Sequence, residues 1–261
     1  MNRGANERRG GEKQSGRLTI ETASARTHQI RILSAAALRE IILELGGKYA
    51  RTGMTYAAEF TRSPLVRDRI CAGEPFDIAV TTRTRIEELA RDGKVIAATA
   101  IQLARSGIGV AVKAGCPKPD IHSVAAFTRA LRTARAVACA DPAFGTASGL
   151  YLAGLFESLG LAAELKTKMH FVGAEGGDAV VVCAAVANGV AELGLQQIAE
   201  IVAVPEVDLV GPLPPELQHT TIFSAAVPSA TPRPDLARDF VAFLASPTAK
   251  AVVAAHGMEP C

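Results

Sequence analysis

Along most of the chain, short apolar runs alternate with segments in which apolar residues recur every three or four positions. The first pattern predicts buried strands and the second predicts amphipathic helices. In the first half of the chain the predicted strands are Gln29–Leu33, Met54–Phe60, Phe76–Val80 and Ile108–Lys113. Between them, one helix is predicted to end at Gly46–Gly47, a second to begin with Ser63 as its N-cap, and a third to begin with a capping box at Thr84–Glu87. Strands that alternate with helices in this way predict an α/β fold.

The same alternation resumes after Gly115–Pro119, a stretch rich in glycine and proline that interrupts it. Ser123 is predicted to cap the next helix. The strands predicted after it are Ala136–Ala140, His170–Val172, Val190–Leu195, Val207–Val210 and Thr220–Val227. Small apolar residues predict a helix over Asp178–Asn188, and two more helices are predicted after Pro234 and from Ser246.

Two linker-like stretches, near 114–119 and 211–216, divide this pattern. They predict two Rossmann-like lobes with parallel-rich mixed sheets, joined by a hinge of two chain segments. Lobe 1 is predicted to comprise residues 28–113 and 217–261, lobe 2 residues 114–216, and residues 1–27 a disordered N-terminal segment rich in glycine and charge. Ligands of open α/β sheets bind beyond the carboxyl ends of the strands, so the cleft between the lobes is the predicted site.

Hydroxyl and amide side chains follow several of the predicted strands and precede the helices after them. The candidates for ligand contact are Ser34, Ser63, Thr81, Ser106, Thr146, Ser148 and Gln197. Hydroxyl groups and the unpaired N–H groups of a helix N-terminus bind anions through neutral donors. A serine or threonine before a helix is equally often an N-cap, so both interpretations stay open for each of these residues.

The strongest of these signals is the segment 136–156, in which an apolar strand breaks into a loop with Thr146 and Ser148 and enters a helix directly. No charged residue follows Asp141 within this segment, so hydroxyl and N–H groups would hold an anion there. A full positive charge must then come from the first lobe. Arg62 is the candidate, because arginine binds a carboxylate in a bidentate manner.

Composition and motifs exclude several classes of function. The formal net charge is +2, from 28 basic and 26 acidic residues, which argues against nucleic-acid binding through charge. No nucleophile–base motif, phosphate-binding glycine loop or Cys/His spacing of a metal site occurs, so neither a metal nor a cofactor is expected. No apolar run predicts a membrane span, and none predicts a secretory signal within the first 28 residues. The chain as given is therefore expected to be cytoplasmic or the mature part of a longer protein.

Five segments together resemble the type II periplasmic-binding-protein superfamily, in its molybdate-binding-protein-like branch. They are Leu33–Leu38, Arg62–Val80, Ser106–Ile121, Asp141–Leu161 and Asn188–Leu217. The resemblance spans nearly the whole chain after Gln29 and keeps the order of the segments. It implies a monomeric solute-binding protein that captures a small oxyanion or organic carboxylate by hinge closure. It also implies a periplasmic location and an ABC permease as the membrane partner.

Other residues resemble a side branch of this superfamily that contains aconitate isomerases. Molybdate binders resemble AAASL in the first loop, whereas Ala37 stands here at the position of their serine, and Arg62 precedes a single Ser63 in the second loop. The runs 104–121 and 194–201 are closer to the side branch. The alternative function is therefore isomerisation of a small unsaturated tricarboxylate, which needs a base and donors that stabilise a dienolate. A ligand sensor that contacts another protein is a third hypothesis.

Overall fold

The structure is a computed structural model that describes residues 29–50, 54–173 and 181–261. The predicted segment 1–27 and the first three residues of the predicted helix at 178–188 lie outside this range. The described strands are β1 (Gln29–Ala35), β2 (Thr55–Thr61), β3 (Ile78–Thr82), β4 (Ile101–Lys113), β5 (Val137–Ala140), β6 (Met169–Val172), β7 (Leu193–Gln197), β8 (Val207–Pro212), β9 (Thr220–Ala226) and β10 (Glu259–Pro260). The described α-helices are α1 (Arg39–Ala50), α2 (Ser63–Cys71), α3 (Arg83–Arg91), α4 (Val124–Thr133), α5 (Ala147–Ser158), α6 (Ala162–Leu165), α7 (Val181–Ala187), α8 (Ile198–Val202), α9 (Pro234–Leu244) and α10 (Pro247–Ala255).

The strands form one mixed sheet in the order β2-β1-β3-β9-β4-β7-β5-β6, with β8 and β10 also paired to β4. We call the part from β2 to β9 the first half-sheet and the part from β7 to β6, with β8, the second half-sheet. In the first, β1 runs parallel to β2 and β3, and β9 runs antiparallel to β3 and β4. In the second, β5 runs parallel to β6 and β7, and β4 runs antiparallel to β7 and β8. The predicted α/β class with parallel-rich mixed sheets is confirmed.

Strand β4 belongs to both half-sheets. Its residues Ile101–Gly107 pair with β9, and residues Ile108–Lys113 pair with β7 and β8. The sequence predicts only the second part of this strand, because Gln102, Arg105 and Ser106 interrupt the apolar pattern of the first part. The chain thus passes from one half-sheet to the other inside a strand. The predicted division at residues 113/114 and 216/217 stays a prediction.

Helices cover both faces of each half-sheet. Helices α1, α9 and α10 pack on one face of the first half-sheet and α2 and α3 on the other, which is why Ile42 and Phe240 belong to one core and Val66 and Leu89 to another. In the second half-sheet, α4, α5 and α6 cover one face, and α7 and α8 cover the other. The side chains of a strand point alternately to opposite faces, so each face contributes its own apolar core.

Of the predicted helix caps, Ser123 is confirmed and two are wrong; Ser246, predicted as the start of the last helix, also caps it. The hydroxyl oxygens of Ser123 and Ser246 accept hydrogen bonds from the backbone N–H three residues later, at 3.2 and 3.3 Å. Ser63 is instead the first residue of α2, with Arg62 at the cap position and no side-chain cap. Thr84 lies inside α3, which begins at Arg83 without a side-chain cap, so the predicted capping box does not form.

Helix α1 continues through the Gly46–Gly47 pair at which it is predicted to end. A Cβ atom on Gly46 would lie 2.5 Å from the ring of Tyr56 on β2. Gly46 therefore serves close packing between a helix and its sheet, and not helix termination.

The second crossing between the half-sheets, from β8 to β9, is tied to β4 by the side chain of Gln218. Its Oε1 accepts from the Ile108 N–H at 2.8 Å, and its Nε2 donates to the Ile108 carbonyl at 2.9 Å. The Tyr151 hydroxyl of α5 donates to the Leu217 carbonyl at 2.7 Å. The amide of Gln218 therefore replaces a neighbouring strand at the point where β4 changes partners.

Replacement of Gln218 by methionine removes both hydrogen bonds to Ile108, and a third from the His219 N–H to Oε1 at 2.9 Å, while nearly preserving side-chain volume. We expect Gln218→Met to lower the free energy of unfolding by about 1–3 kcal/mol, because the buried N–H of Ile108 loses its partner. Chemical denaturation measures this change. Gln102→Met on the exposed part of β4 is the matched control and should change stability by less than about 0.5 kcal/mol. Equal effects of the two substitutions would contradict the assignment.

Candidate functional site

A cavity of about 80 Å³ lies between the carboxyl ends of strands from both half-sheets. The first half-sheet contributes residues after β1, β2 and β3 and one residue of β9: Ala35, Ala36, Ala37, Arg62, Ser63, Thr82 and Phe223. The second contributes residues around β5, β6, β7 and the helices that follow them: Ala140, Asp141, Phe144, Thr146, Ala147, Ser148, Val172, Gly173, Val181, Val182, Gln196, Gln197 and Glu200. This is the edge at which ligands of open α/β sheets bind.

Five of the eight candidate residues line this cavity: Arg62, Ser63, Thr146, Ser148 and Gln197. The other three, Ser34, Thr81 and Ser106, are buried outside its lining. Their hydroxyl groups donate to the backbone carbonyls of Ala35, Ser63 and Gly107 at 3.1, 3.2 and 3.3 Å, respectively. Thr81 thereby supports the first turn of α2 beneath the cavity, and Ser106 lies at the strand position where β4 changes partners.

The lining residues from the first half-sheet form the first wall of the cavity, and those from the second half-sheet form the second wall. Arg62 contributes the positive charge of the first wall. Its guanidinium lies over the ring of Phe144, with Cζ 4.3 Å from the ring centroid, so this contact joins the two walls. Its buried Nε has no hydrogen-bond partner, and no carboxylate of the described residues lies within ion-pair distance. Arg69, by contrast, is bound to Glu59 and Glu74 at 2.8 and 2.6 Å. Arg62 thus faces the cavity with its charge uncompensated within the described part of the chain.

The second wall is built around the N-terminus of α5. The Thr146 hydroxyl accepts from the Gly149 N–H at 3.3 Å and caps this helix, so Thr146 is both a cap and part of the lining. A Cβ atom on Gly149 would lie 2.8 Å from the Ala140 carbonyl oxygen, so only glycine lets the helix start this close to β5. Asp141 accepts from the Ala143 N–H at 2.8 Å and stabilises the loop, as a residue before proline is expected to do.

Gln196 and Gln197, at the end of β7, both form side-chain hydrogen bonds, but one oxygen atom of the pair has no partner among the described residues. The Ser148 hydroxyl donates to Gln196 Oε1 at 3.2 Å, and Gln197 Nε2 donates to Thr221 Oγ1 of β9 at 2.9 Å. Gln197 Oε1 is buried and has no hydrogen-bond partner among the described residues. A buried oxygen of this kind is normally satisfied, so Gln197 Oε1 is an unusual unpaired acceptor in a residue that lines the cavity.

Glu200 is the second acidic residue of the lining, beside Asp141. Burial raises the pKa of its carboxyl to about 8, and a hydrogen bond from the Gln197 backbone N–H acts in the opposite direction. The sequence offers Glu200 as one of several acids that could serve as a base, but no spacing singles it out. Only the fold brings α8 to the cavity.

Sequence reasoning also misses the apolar part of the lining. Phe144 is the clearest case, because its ring carries the contact with Arg62. A Cβ atom on Gly173 would lie 1.9 Å from that ring, so the position of Phe144 depends on a glycine 29 residues away along the chain. No local pattern in the sequence connects these two residues.

A second cavity of about 300 Å³ adjoins the first and shares Ser63, Thr82 and Ala147 with it. Its lining also includes Arg83, Arg85 and His219, so the cleft continues toward the crossing segments. His219 is stacked on Tyr151 with the ring centroids 4.5 Å apart, and burial lowers its pKa. The two cavities together offer space for a ligand larger than a tetrahedral oxyanion.

Among the described residues, no helix is long and apolar enough to cross a membrane. The same ranges contain no group of three or more His, Cys, Asp or Glu side chains that could hold a metal ion.

Comparison with known proteins places this chain in a family. Residues 30–259 match the family model described as "Bacterial extracellular solute-binding protein". An aconitate isomerase from a Pseudomonas species is 32% identical over 238 residues, which cover 88% of this chain and 87% of that protein.

Solved structures share the fold at lower identity. The periplasmic molybdate-binding protein of Azotobacter vinelandii superposes with a TM-score of 0.72 at 20% identity, covering 88% of this chain and 98% of that one. The sulfate-binding protein of Mycobacterium tuberculosis gives a TM-score of 0.68 at 17% identity, covering 89% and 87%. The resemblance to the molybdate-binding-protein-like branch and to its aconitate-isomerase side branch is confirmed. The chain belongs to the bacterial extracellular solute-binding protein family and has the fold of type II periplasmic binding proteins.

Proposed function

We propose that this protein captures a small organic carboxylate in the cavity between its two half-sheets. The observation that carries the proposal is Arg62, a cation that faces the cavity with no carboxylate of the described residues beside it. The planar guanidinium matches the two oxygens of a carboxylate in a bidentate hydrogen-bonded pair. A ligand carboxylate would supply the missing counter-charge.

Neutral donors on both walls support the same ligand class. The first turn of α2, at Ser63, and the first turn of α5, at Ala147 and Ser148, direct backbone N–H groups toward the cavity lining. The partial positive charge at each helix N-terminus favours an anion there. A ligand with more than one carboxylate would contact Arg62 on one wall and the α5 terminus on the other.

Relatedness and the size of the cleft favour a carboxylate over a tetrahedral oxyanion as the ligand. The relatives that bind molybdate or sulfate resemble this chain only in fold, at 20% and 17% identity. The relative that is 32% identical acts, by its name, on an unsaturated tricarboxylate. The adjoining cavity of about 300 Å³ gives such a ligand room beyond the first carboxylate.

Capture by hinge closure follows from the position of the ligand between the walls. A ligand that contacts residues on both sides stabilises the closed arrangement over the open one by its differential affinity. In a transport role the closed monomer would deliver the ligand to an ABC permease from the periplasmic side of the membrane. That partner and that location are part of the proposal.

Replacement of Arg62 by glutamine tests the charge. We expect Arg62→Gln to raise the Kd for citrate or trans-aconitate by about 10- to 100-fold, because a charge-assisted hydrogen bond contributes about 1.5–3 kcal/mol. Isothermal titration calorimetry measures the change. The control is Arg238→Gln on the exposed face of α9, which should leave the Kd unchanged. An unchanged Kd in Arg62→Gln, or tight binding of molybdate but of no carboxylate, would refute the proposal.

Ser63 and Thr146 are distinguished by what their hydroxyl groups do in the absence of ligand. Ser63→Ala should weaken binding by about three- to tenfold and change stability by less than about 0.5 kcal/mol, because this hydroxyl caps nothing. Thr146→Ala should weaken binding and also cost about 1 kcal/mol of stability, because it removes the cap of α5. Thermal unfolding with and without citrate measures both effects. Equal loss of unliganded stability in the two variants would contradict this assignment.

A second candidate function is isomerisation of the bound tricarboxylate, favoured by the 32% identity to an aconitate isomerase over 88% of the chain. Such an enzyme moves a proton between two carbons of an allylic system, while positive charge and N–H donors stabilise the dienolate. We expect the protein to interconvert cis- and trans-aconitate, which proton NMR in deuterated water detects directly. Tight binding of aconitate with an unchanged NMR spectrum over days would leave capture as the function.

A further inference from the structure

We infer that Glu200 is the residue that transfers a proton to and from the carboxylate ligand. The inference rests on the proposed function, because it assigns chemistry to a ligand bound at Arg62. It decides between the two candidate functions, since a protein that only captures its ligand needs no proton carrier.

Glu200 lies on α8, which brings it into the lining of the cavity. It is one of two acidic residues that line the cavity within the described chain, the other being Asp141. Asp141 is held by the loop that it stabilises, through the hydrogen bond from the Ala143 N–H at 2.8 Å. The carboxylate of Glu200 accepts from the Gln197 backbone N–H and forms no ion pair with a described residue. Each acid thus accepts one backbone N–H, and neither is paired with a cation of the described residues. Glu200 differs in its place on α8, where burial raises the pKa of its carboxyl.

The surroundings of Glu200 suit a base that works near neutral pH. The cavity lining that includes Glu200 also includes the apolar residues Val181, Val182 and Phe223, and burial raises the pKa of the Glu200 carboxyl to about 8. The other described titratable residues of the lining are Arg62 and Asp141. The Cys183 thiol lies 3.7 Å from the Glu200 backbone carbonyl oxygen, and burial keeps it protonated by raising its pKa to about 12. A general base is most effective when its pKa lies close to the working pH.

The first wall of the cavity carries the groups that stabilise a carbanion. Arg62 and the N-terminus of α2 line the same cavity from the other half-sheet. Positive charge and N–H donors held in place before the reaction stabilise negative charge as it develops on a carboxylate. A ligand carboxylate bound at Arg62 would place its neighbouring carbon inside the cavity that Glu200 also lines.

The proton transfer balances without an oxidant or a second substrate. Glu200 in its ionised form removes a proton from the CH₂ next to a carboxylate of the ligand, so the C–H bond breaks and its electron pair spreads over the adjoining C=C and the carboxylate. The resulting dienolate takes the proton back from Glu200 at the far carbon of the allylic system. The double bond has then moved by one position, and Glu200 is ionised again.

Glu200→Gln tests the assignment, because the amide has the shape of the protonated acid but cannot accept the proton. In deuterated water, wild-type protein should exchange the CH₂ protons of trans-aconitate, followed by proton NMR. Glu200→Gln should exchange them at least 100-fold more slowly, with the Kd for trans-aconitate within about fivefold of the wild type by calorimetry. The matched control is Glu206→Gln, an exposed glutamate of the same lobe, which should exchange at the wild-type rate.

A pH profile provides a readout that a purely structural role would not move. Because the ionised form is the base, kcat/KM for exchange should rise with pH to a plateau above about 8, the pKa of Glu200 in the free protein. Glu200→Asp keeps a carboxylate one methylene shorter, so it should keep a rising profile with a rate at least tenfold lower.

Four outcomes separate this inference from the proposed function. Loss of exchange in Glu200→Gln with retained binding supports it. Exchange at the wild-type rate in that variant overturns it. Binding of trans-aconitate by the wild type without any exchange overturns it and leaves carboxylate capture intact. Absence of binding by the wild type overturns both.

Discussion

The pairing of β4 with strands of both half-sheets determines where a cleft can form in this molecule. A strand that changes partners between Gly107 and Ile108 must leave a gap where one sheet ends and the next begins. The Gln218 amide forms hydrogen bonds with the backbone N–H and C=O of Ile108 at that point, so neither group is left without a partner. The cavity and its walls are positioned by this one exchange of partners, because the loops after β1, β2, β5 and β7 all converge on it.

The cavity combines two groups whose ordinary partners are missing among the described residues. The Arg62 guanidinium lies over an aromatic ring and is not paired with a carboxylate of the described residues. The Glu200 carboxyl accepts from one backbone N–H and is not paired with a cation in the same part of the chain. Burying either charge without compensation costs free energy, so a ligand that supplies the compensation binds at a site prepared for it. With its pKa raised to about 8, the Glu200 carboxyl is largely uncharged at neutral pH, so the positive charge of Arg62 dominates the cavity. Such an arrangement suits a ligand that carries negative charge.

Most of the fold can be predicted from the sequence, because most strands contain a short apolar run and apolar residues recur every three or four positions in the helices. The prediction fails where a residue serves long-range packing. Gly46 is a terminator by local rules, yet it makes room for Tyr56. Arg105 and Ser106 interrupt the apolar pattern of the first part of β4, so the sequence does not indicate a strand there. The two half-sheets meet at this point, and the strand is not buried in the simple alternating pattern.

Some residues of the candidate site can likewise be predicted from the sequence, and others cannot. The donors at helix starts, Ser63, Thr146 and Ser148, can be predicted because strand ends and helix N-termini are visible in the sequence. Ser34 and Thr81 fit the same local pattern but turn inward to backbone carbonyls, a choice that depends on neighbours distant along the chain. Glu200 and Phe144 gain their roles only when the two walls come together, so no spacing could have indicated them.

The contact between Gly173 and the ring of Phe144 has a consequence for how this protein family can diverge. With no room for a side chain at position 173, the aromatic ring at position 144 is tied to a glycine there, and the guanidinium of Arg62 is tied to the ring. A larger residue at 173 forces the ring of Phe144 to move, and with it the support that orients the cation. The three positions are thus coupled, and a change at one of them is expected to alter how the cavity presents its positive charge.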